Sequence, residues 1–197
     1  MAEIYKIGSD DLIDRVSTFG GTNLLVDTWL ATNQYGLSNC TASIVADASA
    51  PIKSVVRLTL TDSTKNAHCY LTNMKTRVPM QQGEQYVASA WLKSSANMNR
   101  PSNIMCECYS GTYTRLNNIN ISTSWSRQSV IFTYNENATY QALYIIYPEL
   151  WSGLSNGGYI DIGGIKIEKG NKPTEWTPAP QDLVTVDTTN NTLVFFQ

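Results

Sequence analysis

From Gly21 onward, apolar and polar positions alternate with a period of two, the spacing of strands with one buried face. Ser54 to Thr61 sets Val56, Leu58 and Leu60 on one face against Val55, Arg57, Thr59 and Thr61. Tyr86 to Leu92, Ile104 to Ser110, Arg127 to Tyr134 and Ala142 to Tyr147 continue the series. Turn residues punctuate it at Gln82-Gly83, Asn99-Arg100-Pro101, Asn117-Asn118 and Asn156-Gly157-Gly158. Many short strands at such spacing predict an all-β, two-sheet antiparallel sandwich rather than alternating βα units.

The stretch Tyr159 to Pro180, YIDIGGIKIEKGNKPTEWTPAP, carries the most information. It begins as a strand with Ile160 and Ile162 on one face and Asp161 on the other. Gly163-Gly164 then shifts the alternation, so that Ile165 and Ile167 continue the apolar face while Lys166 and Glu168 are expected to face out. Two glycines at a parity break predict a bulge or tight bend. Pro173, Pro178 and Pro180 forbid further ladder pairing, so the domain is expected to close here.

Both ends differ in texture from the middle, which divides the chain into an arm (1–20), a β domain (21–180) and a tail (181–197). Ser9 is an N-cap for a short helix with Asp10 and Asp11 in its first turn. Leu12, Ile13, Val16 and Phe19 recur at helical spacing, and so short a helix needs its stripe covered by the domain or by a neighbouring subunit. The tail reads as a hairpin, VTVDTT and TLVFF around Asn190-Asn191, whose Phe195 and Phe196 call for the same cover. These six apolar residues are the candidate assembly contacts.

Composition narrows the function classes. A chain of 197 residues is about one domain. A net charge of -2 with singly scattered Lys and Arg argues against a nucleic-acid footprint. No apolar run reaches the roughly 18 residues of a membrane span, and MAEIYKIGSDD lacks an apolar signal core, so neither membrane insertion nor secretion is expected. Charged residues make up only 15 %, with Asn, Ser and Thr in their place, which fits either hydrogen bonding to neutral partners or ordinary turn content. The four cysteines (Cys40, Cys69, Cys106, Cys108) match no zinc spacing and are expected as buried free thiols. The single histidine, His68, has no partnering pattern, and no nucleophile elbow, P-loop or dinucleotide fingerprint occurs. The chain is expected not to be an enzyme.

The closing motif resembles that of jelly-roll carbohydrate-binding modules of the family 4, 9 and 22 type carried by bacteriophage tail and baseplate proteins. Gly21 to Leu30 is similar to the family's opening strand, Gln85 to Ser94 to its central strand, and Ser122 to Tyr134 to its tryptophan-then-strand element. The resemblance implies a jelly roll, with Trp91 and Trp125 in the core and Trp176 packing the exit strap on the sandwich. It also implies a structural calcium held by Asp161, with Asp27 and backbone carbonyls completing the oxygens, although a metal-free surface aspartate is the alternative.

On such a fold the surplus aromatics point to a sugar platform, because pyranose C–H faces pack on aromatic rings. The candidates are Tyr109, Tyr113 and Arg115 around one turn, and Tyr144, Tyr147 and Trp151 along another strand; the alternative is that Tyr144 and Tyr147 merely cover the second sheet. The resemblance implies a virion component of tail, baseplate or fibre, made in the host cytoplasm, that binds host cell-surface polysaccharide and other virion proteins. By analogy with tail appendages it would be a homo-oligomer, a trimer. The competing roles are a purely structural virion protein, such as a capsid decoration or tail collar, and the accessory module of a polysaccharide-degrading system.

Overall fold

The computed structural model describes residues 21–25, 35–52, 54–71, 78–98, 102–108, 112–119, 121–137, 141–147, 153–187 and 192–195. Ten strands form two five-stranded antiparallel sheets. One sheet runs in the order β1 (Tyr35–Ser38), β4 (His68–Leu71), β9 (Gln141–Tyr147), β6 (Ser102–Cys108), β7 (Thr112–Ile119). The other runs β2 (Cys40–Ala46), β3 (Ser54–Leu60), β10 (Tyr159–Lys169), β5 (Gln85–Ser94), β8 (Ser126–Thr133). We call them the β6 sheet and the β10 sheet. A separate hairpin, β11 (Val184–Asp187) with β12 (Thr192–Phe195), follows a 3-10 turn at Pro180–Leu183, as the Asn190-Asn191 signal predicts.

The core lies between the sheets and is built by the alternation read from the sequence. Val56, Leu58 and Leu60 come from β3, Ala88, Ala90 and Leu92 from β5, and Val130 and Phe132 from β8. Cys69 and Ile119 close it from the β6 sheet.

The β10 strand supplies Ile160 and Ile162, then Ile165 and Ile167. The change of parity is the predicted bulge. Gly163 pairs with Trp91 but Lys166 with Ser89, so β10 carries one extra residue. Gly164 adopts φ 57°, a left-handed conformation that costs a residue with Cβ about 1–2 kcal/mol. A Cβ there would also lie 3.1 Å from Trp91 Cδ1 and 3.3 Å from Trp176.

At the bulge β10 changes partner. Its first half pairs with β3, whereas Leu24 N donates to Ile167 O at 2.7 Å beside the second half. The family-like opening segment is thus not a regular ladder strand in its described part, residues 21–25. Asn23 replaces the missing ladder bonds and is fully buried. Its Oδ1 accepts from Leu25 N and Ile167 N, and its Nδ2 donates to Ile165 O and Thr177 O, all within 3.2 Å.

The expectation that Lys166 and Glu168 face solvent is corrected: they are 0 % and 1 % exposed. They do stand on the face away from the core, but the exit strap folds back over it. Glu168 accepts from Thr174 N at 2.8 Å and from Thr174 Oγ1 at 2.5 Å. Lys166 Nζ donates to Thr174 Oγ1 and Glu175 O at 2.7 Å each and lies 3.4 Å from Glu168. Burial holds the Lys166 ammonium below the usual lysine range. Trp176 donates Nε1 to Ile165 O at 3.2 Å, so the strap is pinned to the sandwich as the resemblance implies.

Candidate functional site

The outer face of the β10 sheet is covered over its central strands, β10 and β5, while Thr41, Ser43 and Ile131 on the flanking strands stay exposed. Besides the strap, the β2–β3 loop crosses it, with Ile52 packed against Gly163 and Val55 fully buried beneath. Lys93 Nζ on β5 bonds Asp47 at 2.7 Å, and Trp125 Nε1 donates to Ser49 Oγ at 3.3 Å, which tie the loop down. The Lys93 bond and the two from Ser49 hold the Asp47 carboxyl well below the ordinary carboxylate range.

Trp91 and Trp125 belong to this outer layer rather than to the core, correcting the family-based expectation. Trp91 alternates with the core residues Ala90 and Leu92, so it stands on the opposite face and is half-buried. Trp125 is half-buried with Lys93 Nζ 5.6 Å from its ring centroid.

Asp161 is also corrected as a surface position, being fully buried. Both its oxygens accept from Arg57, Oδ1 from Nε at 2.8 Å and Oδ2 from Nη2 at 2.9 Å, and the same guanidinium lies 3.6 Å from the Tyr159 ring centroid. That bond holds the guanidinium pKa above its ordinary value. Calcium needs six to eight oxygens and no adjacent cation, so this donor set does not fit it. Among the described residues no group of three or more His, Cys, Asp or Glu converges, and Asp27 lies outside them.

The corresponding face of the β6 sheet is different in character. Cys69 is buried in the core, so its neighbour Tyr70 occupies a position on the opposite face. Cα partners share a face, and the register continues from Tyr70 without a break: Gly36, Tyr70, Tyr144, Met105 and Arg115 form one row across all five strands. At about 4.8 Å per strand the row spans roughly 19 Å. A second row holds Ala142, Glu107 and Tyr113, and a third Tyr147 and Asn103. Ile119, a core residue paired with Ser102, fixes the same parity from the other edge.

Four of the six sugar-platform candidates (Tyr113, Arg115, Tyr144, Tyr147) therefore occupy positions on one face. Tyr144 and Tyr147, three apart, would alternate across a regular strand. The ladder takes three steps on β9 from 144 to 147 against two on β6 from 103 to 105, and this extra residue brings both to the same face. Tyr109 and Trp151 lie outside the described residues, as do Leu12, Ile13, Val16, Phe19 and Phe196. Phe195 is on β12 in one row with Val184, and the next row but one pairs Leu193 with Val186, so one face of the hairpin is apolar.

Sequence reasoning passed over Tyr70, Asn103, Met105 and Glu107. The signal for Tyr70 was its place next to Cys69 in a short HCYL run, which alternation alone could not phase. Cys40 and Cys69 are free and buried, and burial pushes the Cys40 thiol up to about 11 and Cys69 well above its ordinary value. Burial likewise pulls the His68 imidazole below its ordinary value, so it is neutral at pH 7. No helix among the described residues is long and apolar enough to cross a membrane.

Solved structures with this architecture include carbohydrate-binding modules. The CBM22-1 xylan-binding domain of Paenibacillus barcinonensis Xyn10C superposes with a TM-score of 0.52 at 13 % identity, covering 78 % of this chain and 97 % of that one. The CBM22-1–GH10 modules of Clostridium thermocellum xylanase 10B, solved with xylohexaose, give 0.55 at 9 % identity, over 76 % of this chain and 29 % of that one. The enzymatically active domain of bacteriophage CBA120 tailspike protein 4 gives 0.51 at 13 % identity, over 76 % of this chain and 22 % of that one. At these identities the likeness is one of fold, and the fold is the jelly-roll β-sandwich of carbohydrate-binding modules. No protein-family profile and no curated protein sequence matches the chain.

Proposed function

We propose that this chain is a non-enzymatic glycan-binding module of a phage virion component, in tail, baseplate or fibre, that attaches to host cell-surface polysaccharide. The observation that carries the binding half is the row of Tyr70, Tyr144, Met105 and Arg115 across the β6 sheet, flanked by Tyr113 and Tyr147. Aromatic positions on neighbouring strands offer stacking surfaces to successive pyranose rings, and Arg115, Glu107 and Asn103 offer hydroxyl partners. The strap and the β2–β3 loop cover the central strands of the opposite sheet, which favours this face for the ligand.

The virion half is supported by the closing motif Tyr159 to Pro180 and by a tailspike among the structural neighbours. The xylanase modules favour a second reading, the accessory module of a polysaccharide-degrading system. Binding of the purified chain to a polysaccharide and glycan array, with Tyr144→Ala and Tyr113→Ala as controls, tests the first half. Binding to nothing on the array would instead favour a decoration or collar protein. Mass spectrometry of gradient-purified particles tests the second half: a chain missing from particles but secreted with hydrolases would replace the virion by the accessory role.

A further inference from the structure

The binding face carries a charge pattern that bears on which sugars it accepts. Among the described strand positions of this face, the fully charged residues are Glu107 on β6 and Arg115 on β7. Arg115 is the Cα partner of Met105, and Glu107 the partner of Tyr113, so the two charges occupy diagonal positions. Diagonal cross-strand neighbours are about 7–8 Å apart, within reach of two long side chains. His68, on the same face by its pairing with Ser38, is neutral at pH 7. Over these described positions the formal charges sum to zero, with the cation and the anion at diagonal positions.

Resting on the glycan-binding reading of this face, we propose that Glu107 is a specificity-determining residue that offsets Arg115 and so excludes anionic sugars. An arginine in a row of tyrosines is by itself a receptor for a uronate carboxylate or a phosphodiester, since guanidinium pairs with such oxyanions in bidentate fashion. A carboxylate placed diagonally to it competes for that fork and repels a second anion. A neutral hexose loses nothing, because its hydroxyls accept from the guanidinium and donate to the carboxylate. Discrimination thus arises from a repulsive element as much as from the attractive ones.

The test is calorimetry of the full chain with cellohexaose, xylohexaose and hexagalacturonate at low and high salt. The wild type is expected to bind at least one neutral hexasaccharide and to bind hexagalacturonate at least about fivefold more weakly, the scale of one exposed charge interaction. Glu107→Gln is expected to tighten hexagalacturonate about fivefold relative to the neutral sugars at 20 mM salt and to lose that relative gain at 0.5 M as the charges are screened. A wild type that takes hexagalacturonate as well as the neutral sugars overturns the proposal without any variant. So does a folded Glu107→Gln with no salt-sensitive gain. Binding of no saccharide, together with an empty glycan array, overturns the glycan-binding reading itself, which distinguishes the two failures.

Discussion

Replacing Glu168 by glutamine removes one charge from a buried pair and one of the two acceptors that hold Thr174. Gln keeps the shape and an acceptor for Thr174 N, which Glu168 now engages at 2.8 Å. What it takes away is the Oε2 acceptor of Thr174 Oγ1 and the counter-charge of Lys166, whose ammonium is fully buried. Removing one partner of a buried pair typically costs 3–5 kcal/mol. The low end applies here, about 3 kcal/mol, because the Nζ–Oε2 separation is 3.4 Å and Thr174 Oγ1 and Glu175 O still solvate the ammonium at 2.7 Å. With a urea m-value of about 2–3 kcal/mol/M, the midpoint should fall by about 1–1.5 M at pH 7. The pH dependence has a definite sign. A lysine whose folded pKa lies below its unfolded value of 10.5 binds fewer protons folded than unfolded in between, so stability rises with pH through that window. Glu168 holds that pKa up, so losing it lowers the Lys166 pKa further and the deficit of Glu168→Gln should shrink as pH rises toward 10.5. Lys166→Met combined with Glu168→Gln should be less damaging than the sum of the single changes by more than about 1 kcal/mol. Urea unfolding followed by tryptophan fluorescence measures all of this. A Glu168→Gln midpoint within about 0.2 M of wild type would mean that the strap is open in solution and the pair is hydrated, and the argument for a covered outer face would fall with it.

Four further outcomes are expected. Gly164→Ala should cost at least about 1–2 kcal/mol in the same urea assay from its left-handed φ alone, with the contacts on Trp91 and Trp176 adding to it; an unchanged midpoint would refute the bulge geometry. Alkylation without prior reduction should modify four cysteines in denaturant, while Cys40 and Cys69 stay unmodified in the native protein at pH 7.5, where burial keeps both as thiols; a missing site in denaturant would reveal a disulfide. Asp47, with its folded pKa depressed, should contribute stability that is present above its unfolded value of 3.8 and lost as pH falls through its folded value, so Asp47→Asn should flatten the acid limb of a stability–pH profile. Deleting residues 1–20 should leave a folded domain of lower oligomeric mass by light scattering, and an unchanged mass would sink the assembly role of Leu12, Ile13, Val16 and Phe19.

Alternation revealed one layer of this fold and concealed another. The period-two pattern phases Val56, Leu58 and Leu60, and the Gly163-Gly164 break marks the bulge, because both are properties of a single strand meeting a single core. Lys166, Glu168 and Asp161 fall on the non-core face by the same rule, and the rule then equates non-core with exposed. Their burial depends on the strap and the β2–β3 loop lying over that face, a long-range event set by Thr174 meeting Glu168 and Ile52 meeting Gly163. A lysine and two carboxylates within eight residues also read as solvated surface, since only the packed structure supplies Arg57 and Thr174 as partners. The binding face was half legible for a related reason. Tyr113 and Arg115 share a face by simple i, i+2 spacing, whereas Tyr144 and Tyr147 share one only because β9 carries an extra residue that no local signal announces.

The covering of the central strands on one outer face gives the other its significance. In a two-sheet sandwich the strands alternate between core and outside, so each sheet has an outer face that must be dressed in water or covered. In the β10 sheet that face holds Asp161, Lys166 and Glu168, groups that water would solvate at no cost, yet the strap and loop bury all three. Burying charge is unfavourable unless partners are supplied, and here the supply is complete: Arg57 for Asp161, Thr174 and Glu175 for Lys166, Thr174 for Glu168. Such an arrangement sets the central strands of the β10 sheet between the core and a second packed layer. Rigidity behind the core is what a flat recognition surface in front of it requires, because strand positions such as Tyr70, Tyr144 and Arg115 hold their spacing only as well as the sheet beneath them does. The strap residues are thereby linked to binding only through the stability of the domain, without touching the ligand. Loosening them by Glu168→Gln should weaken polysaccharide binding only where stability falls low enough to unfold the domain, and a loss of binding in a fully folded variant would instead place the strap in the site.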